Sequence, residues 1–423
     1  MKVLWIVNMV LPNVAKSLGL STSVSGGWLI DYANKLANCE EIELATMTYA
    51  NVEKDIDVVA AGLRNFIFSG GGNKLLFDST QTIKNCKKVI ELFQPDIIHI
   101  HGTEYAIGKA MLDVNKNHNI PVLLTIQGIL MRISAEYYGG LSFLEICKMT
   151  TVKELLRFKT PFFAKRLFVH NAHREQSVLS QVKYVTGRTT WDKTVMLSIN
   201  PNLYYYRFNY NLREEFYAAP KWSVREMTPH TVFIGASSYP LKGIHIMVDA
   251  VRILKSKYPD IKVIVPGGGY NGSPKKLNGY QKYILKKIIK NNLQSNFEFI
   301  GNKSATEIIE QLRNANVCVV TSAMEGASAT ICEAMMIGTP CVCAYRGGMT
   351  ELLNDGESGF YYDFPEYGVL AERIATIFEN EKLCMKFSES TISAAENRHN
   401  RDVNFNQLLD IYKDVIYKEK HNV

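Results

Sequence analysis

Glu325 and Glu333 stand eight positions apart in the stretch Thr321-Ser322-Ala323-Met324-Glu325-Gly326-Ala327-Ser328-Ala329-Thr330-Ile331-Cys332-Glu333. The apolar run Val317–Val320 before it reads as a buried strand, and the small residues after it read as a turn. A helix is expected from near Ser328, with Gly338 ending it and Pro340 preventing its continuation. The unsatisfied N–H groups at such a helix start favour an anion. Carboxylates in the turn and on the first turns of the helix can each accept hydrogen bonds from a pair of vicinal hydroxyls, the pattern a sugar or ribose ring presents. The plainer alternative, a solvated glutamate followed by a helix-surface glutamate, is weakened by the turn and helix context.

Other residues with chemical potential also follow strands. Gly235-Ala236 closes the run Val232–Ile234, and Lys242-Gly243 opens the helical pattern Ile244–Leu254. A lysine there offers a point charge to an anion. Gly26-Gly27 ends a serine-rich loop and opens the pattern Leu29–Leu36, and glycine lacks the Cβ that would block a close backbone approach.

These loops need strands to hold them, and the chain supplies many. Apolar runs at Val3–Val7, Ile97–Ile100, Val122–Ile126, Leu167–Val169, Val232–Ile234, Val263–Val265, Val317–Val320 and Cys341–Ala344 predict buried parallel strands. Helical spacing at Leu29–Leu36, Gln81–Leu92, Ile244–Leu254 and Ile308–Leu312 separates them. The fold class is therefore α/β, with doubly wound sheets that bind ligands beyond the carboxyl ends of their strands. The alternation pauses between Asn200 and Pro229, where prolines, mixed charge and Tyr204, Tyr205, Tyr206 and Tyr210 suggest a linker. The expected domains are 1–215, 228–400 and a terminal segment 401–423, whose amphipathic helix Val403–Tyr417 either caps the second domain or crosses back onto the first.

Composition bounds the function. The 423 residues are 47% apolar and 21% charged, which excludes a disordered chain and fits two or three domains. A net charge of +7 is too small to indicate nucleic-acid binding, and no nucleic-acid motif accompanies it. Apolar runs stay at strand length, short of the ~18 residues that span a bilayer. Met1-Lys2 before Val3–Val7 reads as a first strand rather than a leader peptide, since Pro12 falls where an apolar leader core would end. The eight cysteines are scattered without a CxxC pair, which points to a reducing, cytoplasmic setting.

The segment containing Glu325 and Glu333 resembles the E-x7-E signature of retaining glycosyltransferases of the GT-B fold, family 4 (glycosyl transferases group 1). Further pieces resemble that family in order: Pro95-Asp96-Ile97-Ile98-His99-Ile100-His101-Gly102, Ile234-Gly235-Ala236 through Lys242-Gly243-Ile244, Tyr345-Arg346-Gly347-Gly348-Met349-Thr350-Glu351, and Gly356-Glu357-Ser358-Gly359-Phe360. The resemblance implies two Rossmann-like domains facing a cleft, an acceptor domain first and a nucleotide-sugar domain second. It implies that Glu325 holds the donor sugar and Glu333 the ribose, that Lys242 neutralises the diphosphate, and that Gly26, Gly27, Gly235, Ala236, Gly326, Ala327, Ser328 and Thr330 line the donor. The donor would be a nucleotide diphosphate sugar, a UDP-sugar by expectation, with no further cofactor and no metal. His101 and Arg188 are the candidate acceptor contacts.

Two positions depart from the family pattern. Ala236, Ser237 and Ser238 stand where an arginine usually follows the glycine, and Gln127 stands where the family has a histidine. Glutamine hydrogen-bonds but is no base, so Gln127 is expected to position substrate while the leaving phosphate takes the acceptor proton. A catalytically weak relative is the alternative these departures suggest. Gly267-Gly268-Gly269-Tyr270-Asn271-Gly272 matches a dinucleotide fingerprint, but Lys286, Lys287 and Lys290 lie where the ribose acid should be, which disfavours an NAD-dependent oxidoreductase. Asp55-Ile56-Asp57 is read as surface, not a metal site. His170, at the end of the expected strand Leu167–Val169, together with His173 and Arg174 offers weaker acid–base candidates.

Six basic residues (Lys148, Lys153, Arg157, Lys159, Lys165 and Arg166) crowd 146–166 against one acid, Glu154, with Leu155, Leu156, Phe158, Phe162 and Phe163 between them. This is either a basic helix with an apolar core face or a surface for an anionic membrane. The second suits a glycan or lipid-linked acceptor and a cytoplasmic protein at the inner membrane face.

Overall fold

The computed structural model describes residues 1–21, 27–70, 79–235, 238–273 and 276–421. They form two compact units. The first comprises Met1–Met131, Val169–Asn211 and His399–Val423, the second Arg132–Phe168 and Leu212–Arg398. Residues 132–168, within the span 1–215 by sequence, thus group with the second unit, and the terminal helix Arg401–His421 groups with the first.

The first unit holds an eight-stranded sheet. Its strands are β1 (Lys2–Ile6), β2 (Glu43–Ala50), β3 (Ile56–Ala60), β4 (Leu63–Ser69), β5 (Ile97–His101), β6 (Val122–Thr125), β7 (Tyr184–Gly187) and β8 (Tyr204–Arg207), in the spatial order β3-β4-β2-β1-β5-β6-β7-β8. Every pair is parallel except β3–β4. In β3 and the residues before it, the aspartates serve the ladder: Asp57 takes two hydrogen bonds from Arg64, and Asp55 accepts Ser69 N–H. The tyrosines expected in a linker form β8, because alternate rings pack back onto β7 (Tyr184–Tyr204 centroids 5.5 Å).

One expected strand is absent. Leu167–Val169 lies inside the helix Pro161–Leu179. Three apolar residues fit either period, and the flanking Phe163, Asn171 and Glu175 continue a helical spacing instead. His170 accordingly sits exposed on a helix and does not end a strand.

A buried polar chain crosses the centre of this sheet. Trp5 Nε1 donates to Tyr412 Oη at 2.8 Å, Tyr412 meets His99 Nδ1 at 2.7 Å, His99 Nε2 meets Thr125 Oγ1 at 2.6 Å, and Thr125 meets Thr186 Oγ1 at 2.6 Å. Burial holds the His99 ring neutral, well below its ordinary pKa, with the His101 ring adding to the effect. A consistent proton order follows: Tyr412 donates to Nδ1, and Nε2–H donates to Thr125. The terminal helix is thereby fastened to four strands by one hydroxyl.

The second unit holds a six-stranded parallel sheet of β9 (Thr231–Ile234), β10 (Lys262–Pro266), β11 (Phe297–Gly301), β12 (Val317–Val320), β13 (Cys341–Ala344) and β14 (Phe360–Tyr362), ordered β11-β10-β9-β12-β13-β14. The order reverses between β9 and β12, the switch point where open α/β sheets place ligands. Among the described residues no helix is long and apolar enough to cross a membrane.

Tyr412→Phe would leave Trp5 N–H and the His99 ring short of a partner in a dry site. The expected loss is about 1–3 kcal/mol, read from urea unfolding of the full chain. An unchanged midpoint would show that the chain of hydroxyls is not what fastens the terminal helix.

Candidate active site

In the second unit the turn Thr321–Ser328 leaves β12, and the helix Ala329–Ile337 follows with Ser328 at its N-cap. Ser328 makes no side-chain cap, so the first helical N–H groups are not satisfied in the usual way. Beside this turn lies the short helical turn Pro240–Lys242. Three contacts lock the two together: Thr321 Oγ1 donates to Lys242 O at 2.8 Å, Ala323 N–H donates to Leu241 O at 2.8 Å, and Lys242 Nζ meets Glu325 Oε1 at 2.5 Å. Gly243 makes this approach possible. Its φ is +71°, and a Cβ there would stand 2.0 Å from Thr321 O. Gly347 does the same for the other side of the turn, where Gly348 N–H donates to Glu325 O at 3.0 Å.

Burial works to lower the Lys242 pKa, but Glu325 and Tyr239 outweigh it, and the ammonium is raised above its ordinary value. It is a permanent cation at the switch point. Glu333, on the following helix, is also largely buried, and Arg213 reaches its Oε1 with Nε and Nη2, each at 2.9 Å. Burial raises the Glu333 carboxyl, and Arg213 offsets part of that. Gly235 ends β9 against Thr330, whose Oγ1 would lie 3.0 Å from a Cβ at 235. Gly326 and Ala327 are half-buried in the turn. The structure thus brings Gly235, Lys242, Glu325, Gly326, Ala327, Ser328, Thr330 and Glu333 to one strand end. Gly27 begins the helix Gly27–Ala37 in the first unit, while Gly26 and Ala236 lie outside the described residues.

The remaining candidates sit at the carboxyl ends of β5, β6 and β7 in the first unit. Gln127 Nε2 donates to His101 O at 3.3 Å, and Arg188 Nη2 donates to Gln127 O at 2.7 Å. Arg188 also lies over the Tyr210 ring, 4.6 Å from its centroid. His101 is enclosed, its ring against Trp5 (4.5 Å) and His99 (3.9 Å), and burial depresses its pKa to about 3.

Three residues here and in the second unit were not anticipated from sequence. Glu104 follows β5 and is raised to about 7 by burial, despite Arg174 and Arg188 nearby. Glu175 is raised to about 7 for the same reason, although Thr103 Oγ1 (2.6 Å) and the N–H groups of Leu130 and Met131 (3.2 Å each) donate to it. Arg213 is the third. A glutamate after a strand-end His-Gly was the available signal for Glu104. Nothing local marks Glu175 or Arg213.

The glycine run Gly267–Gly269 has three positive φ values, but the next helix, Gly279–Lys290, starts ten residues later at its own Asn278 cap. A dinucleotide fingerprint needs the helix to open at the glycines, so this loop does not have that geometry.

Residues 218–394 match the model of the Glycosyl transferases group 1 family. The match spans β9 to β14 and contains every second-unit candidate above except Arg213. An uncharacterized glycosyltransferase of Methanocaldococcus jannaschii is 22% identical over 86% of this chain and 88% of its own. Sucrose-phosphate synthase from Thermosynechococcus elongatus superposes with TM-score 0.74 at 15% identity, covering 98% of this chain and 99% of that one. The Anabaena protein HepE, solved with UDP and glucose, gives TM-score 0.69 at 17% identity over 98% and 100%. The chain has the GT-B fold of these structures, and its second unit resembles the group 1 glycosyltransferases. The Lys242–Glu325 pair lies within the matched segment.

The raised carboxyls carry a pH signature. A carboxyl whose folded pKa lies above its unfolded value binds more protons when folded, so its effect on stability worsens as pH rises from about 4.5 to about 7. Glu104→Gln should melt close to the parent near pH 5 and above it at pH 8. A melting difference that stays constant across that range would contradict the burial of a titrating Glu104.

Proposed function

We propose that the chain transfers a sugar, with retention, from a nucleotide diphosphate sugar to an acceptor hydroxyl. The observation that carries this reading is the half-buried Lys242–Glu325 pair at the switch point, with Glu333 on the next helix. Breaking the bond between the anomeric carbon and the diphosphate oxygen builds negative charge on that oxygen. Lys242 and the N–H groups at the start of helix Ala329–Ile337 are fixed donors for such charge, which is the property that lowers the barrier. Glu325 accepts hydrogen bonds from the sugar hydroxyls and Glu333 from the ribose. The acceptor oxygen bonds to the anomeric carbon as the diphosphate leaves, and the acceptor proton passes to the leaving phosphate. Gln127, with no basic atom, orients substrate.

A UDP-sugar is the favoured donor, in line with the UDP and glucose bound to the Anabaena protein. The donor binds without a metal in this reading, since Lys242 supplies the charge. Retention rests on the family resemblance. The acceptor is a glycan or lipid-linked glycan of surface polysaccharide or glycolipid synthesis, met at the inner face of a membrane, a class suggested by the basic, apolar segment 146–166.

Thermal melting of the full chain with UDP, GDP, UDP-sugars or NAD, each with and without EDTA, tests the donor assignment. A ligand at a hundredfold its Kd stabilises by about 2.7 kcal/mol, which raises Tm by about 5–10 °C. A rise with UDP that EDTA leaves intact is expected, and a rise with NAD alone would overturn the reading. Glu325→Gln should lower turnover of the identified UDP-sugar on the order of 10²-fold; full activity would remove Glu325 from the site.

A further inference from the structure

Seven large apolar side chains among the described residues are more than 60% exposed, and five of them fall in one stretch of sixteen residues: Phe143 68%, Leu144 68%, Val152 74%, Leu156 76% and Phe158 72%. The stretch is a pair of short helices, Phe143–Met149 and Val152–Leu156, in the second unit. Its inner side is firmly seated. Ile146 and Met149 belong to the unit's core. Gly279 packs so closely that a Cβ there would lie 2.0 Å from Met149 O. The exposed apolar groups are therefore the outer side of an anchored element, held out by the fold.

Charge is sorted in the same way. Both acids of the pair face inward and are occupied. Glu145 closes a capping box with Ser142 and accepts Tyr283 Oη–H at 3.0 Å. Glu154 closes one with Thr151 and accepts Gly279 N–H at 2.7 Å. Lys148, Arg157 and Lys159 are exposed and form no ion pair among the described residues. What the outer surface presents is apolar tips ringed by cations with their counter-charges turned away.

We propose that this helical pair docks the protein on an anionic lipid bilayer. Phe143, Leu144, Leu156 and Phe158 enter the boundary between headgroups and acyl chains, and Lys148, Arg157 and Lys159 meet lipid phosphates. A second copy of the chain fits less well, because a self-complementary contact would bring these like charges together. The proposal deepens the reading above and rests on it for its purpose: it assigns the acceptor to the lipid-borne class and places the docking surface on the unit that carries Lys242 and Glu325.

Sedimentation of the full chain with vesicles containing phosphatidylglycerol, and with pure phosphatidylcholine vesicles, tests it. The parent should pellet with the anionic vesicles and be released by high salt. Lys148→Glu with Arg157→Glu should weaken the binding at least about tenfold, and Leu156→Ser with Phe158→Ser should do likewise. Both variants should keep the parent's UDP-dependent melting shift, which shows that they fold. A parent that stays in the supernatant with both vesicle types, or variants that pellet like the parent, would overturn the proposal. So would a parent dimer that dissociates in the same variants, which assigns the face to a second copy. Vesicle binding without a nucleotide shift would fail the donor reading and leave the docking surface standing.

Discussion

Lys242 and Glu325 are 83 residues apart in the chain and share a single 2.5 Å contact inside the second unit. Around that contact the backbone has almost no freedom. The two turns exchange hydrogen bonds at Thr321 and Ala323, and glycine is required at 243 and 347 because a side chain at either would strike a carbonyl. An ammonium and a carboxylate partly withdrawn from water are tolerable together, and removing either one leaves the other short of its partner. The pair therefore joins the turns that follow β9 and β12, at the point where the strand order reverses. In the proposed reaction it would also keep the cation in place before a donor arrives, so that the field at a leaving diphosphate would need no rearrangement.

The first unit solves a different electrostatic problem. At the carboxyl ends of β5 and β6 it buries two carboxyls, Glu104 and Glu175, and lowers the cost unequally. Glu175 accepts a hydroxyl and two backbone N–H groups at the start of the helix Leu130–Ala135, which satisfies donors that the helix would otherwise leave orphaned. Glu104 has two arginines in its neighbourhood, yet Arg174 spends Nη2 on the Glu104 carbonyl and Arg188 on the Gln127 carbonyl. The guanidinium groups hold loop backbones in place more than they neutralise the carboxylate, and the carboxyl stays raised. The histidines of the same strand are buried neutral, His99 by a full set of hydrogen bonds and His101 between aromatic rings. His101 is thus a core residue at the strand end, where its sequence context had suggested an acceptor contact.

What could be read from sequence followed the range of the physics involved. The loop bearing Glu325, the helix begun at Ser328 and its stop at Gly338 depend on neighbours a few residues away, and they were legible. So was Lys242 before Gly243. Leu167–Val169 was misread because three apolar residues do not distinguish a strand from a buried helix face. The tyrosines of β8 looked like a linker because their partner ring, Tyr184, comes from a strand about twenty residues earlier. Arg213 on Glu333, and the raised Glu104 and Glu175, depend on groups 44 or more residues away along the chain, and no local pattern encodes them.

The grouping of 132–168 with the second unit has a consequence for how a membrane contact would bear on chemistry. The segment reaches the Lys242 turn directly. Tyr137 stacks on Tyr239 with centroids 6.1 Å apart, a Cβ at Gly139 would lie 2.2 Å from Pro240 O, and His245 Nε2 meets Gly139 O at 2.9 Å. His245 is buried and held neutral, its pKa pushed down to about 4, and its other nitrogen meets Tyr280 Oη at 2.8 Å on the helix that also receives Glu154. From the helical pair to Lys242 these contacts are packed or hydrogen-bonded within one unit. A bilayer that holds the exposed tips of that pair would hold the same unit that carries the Lys242–Glu325 pair.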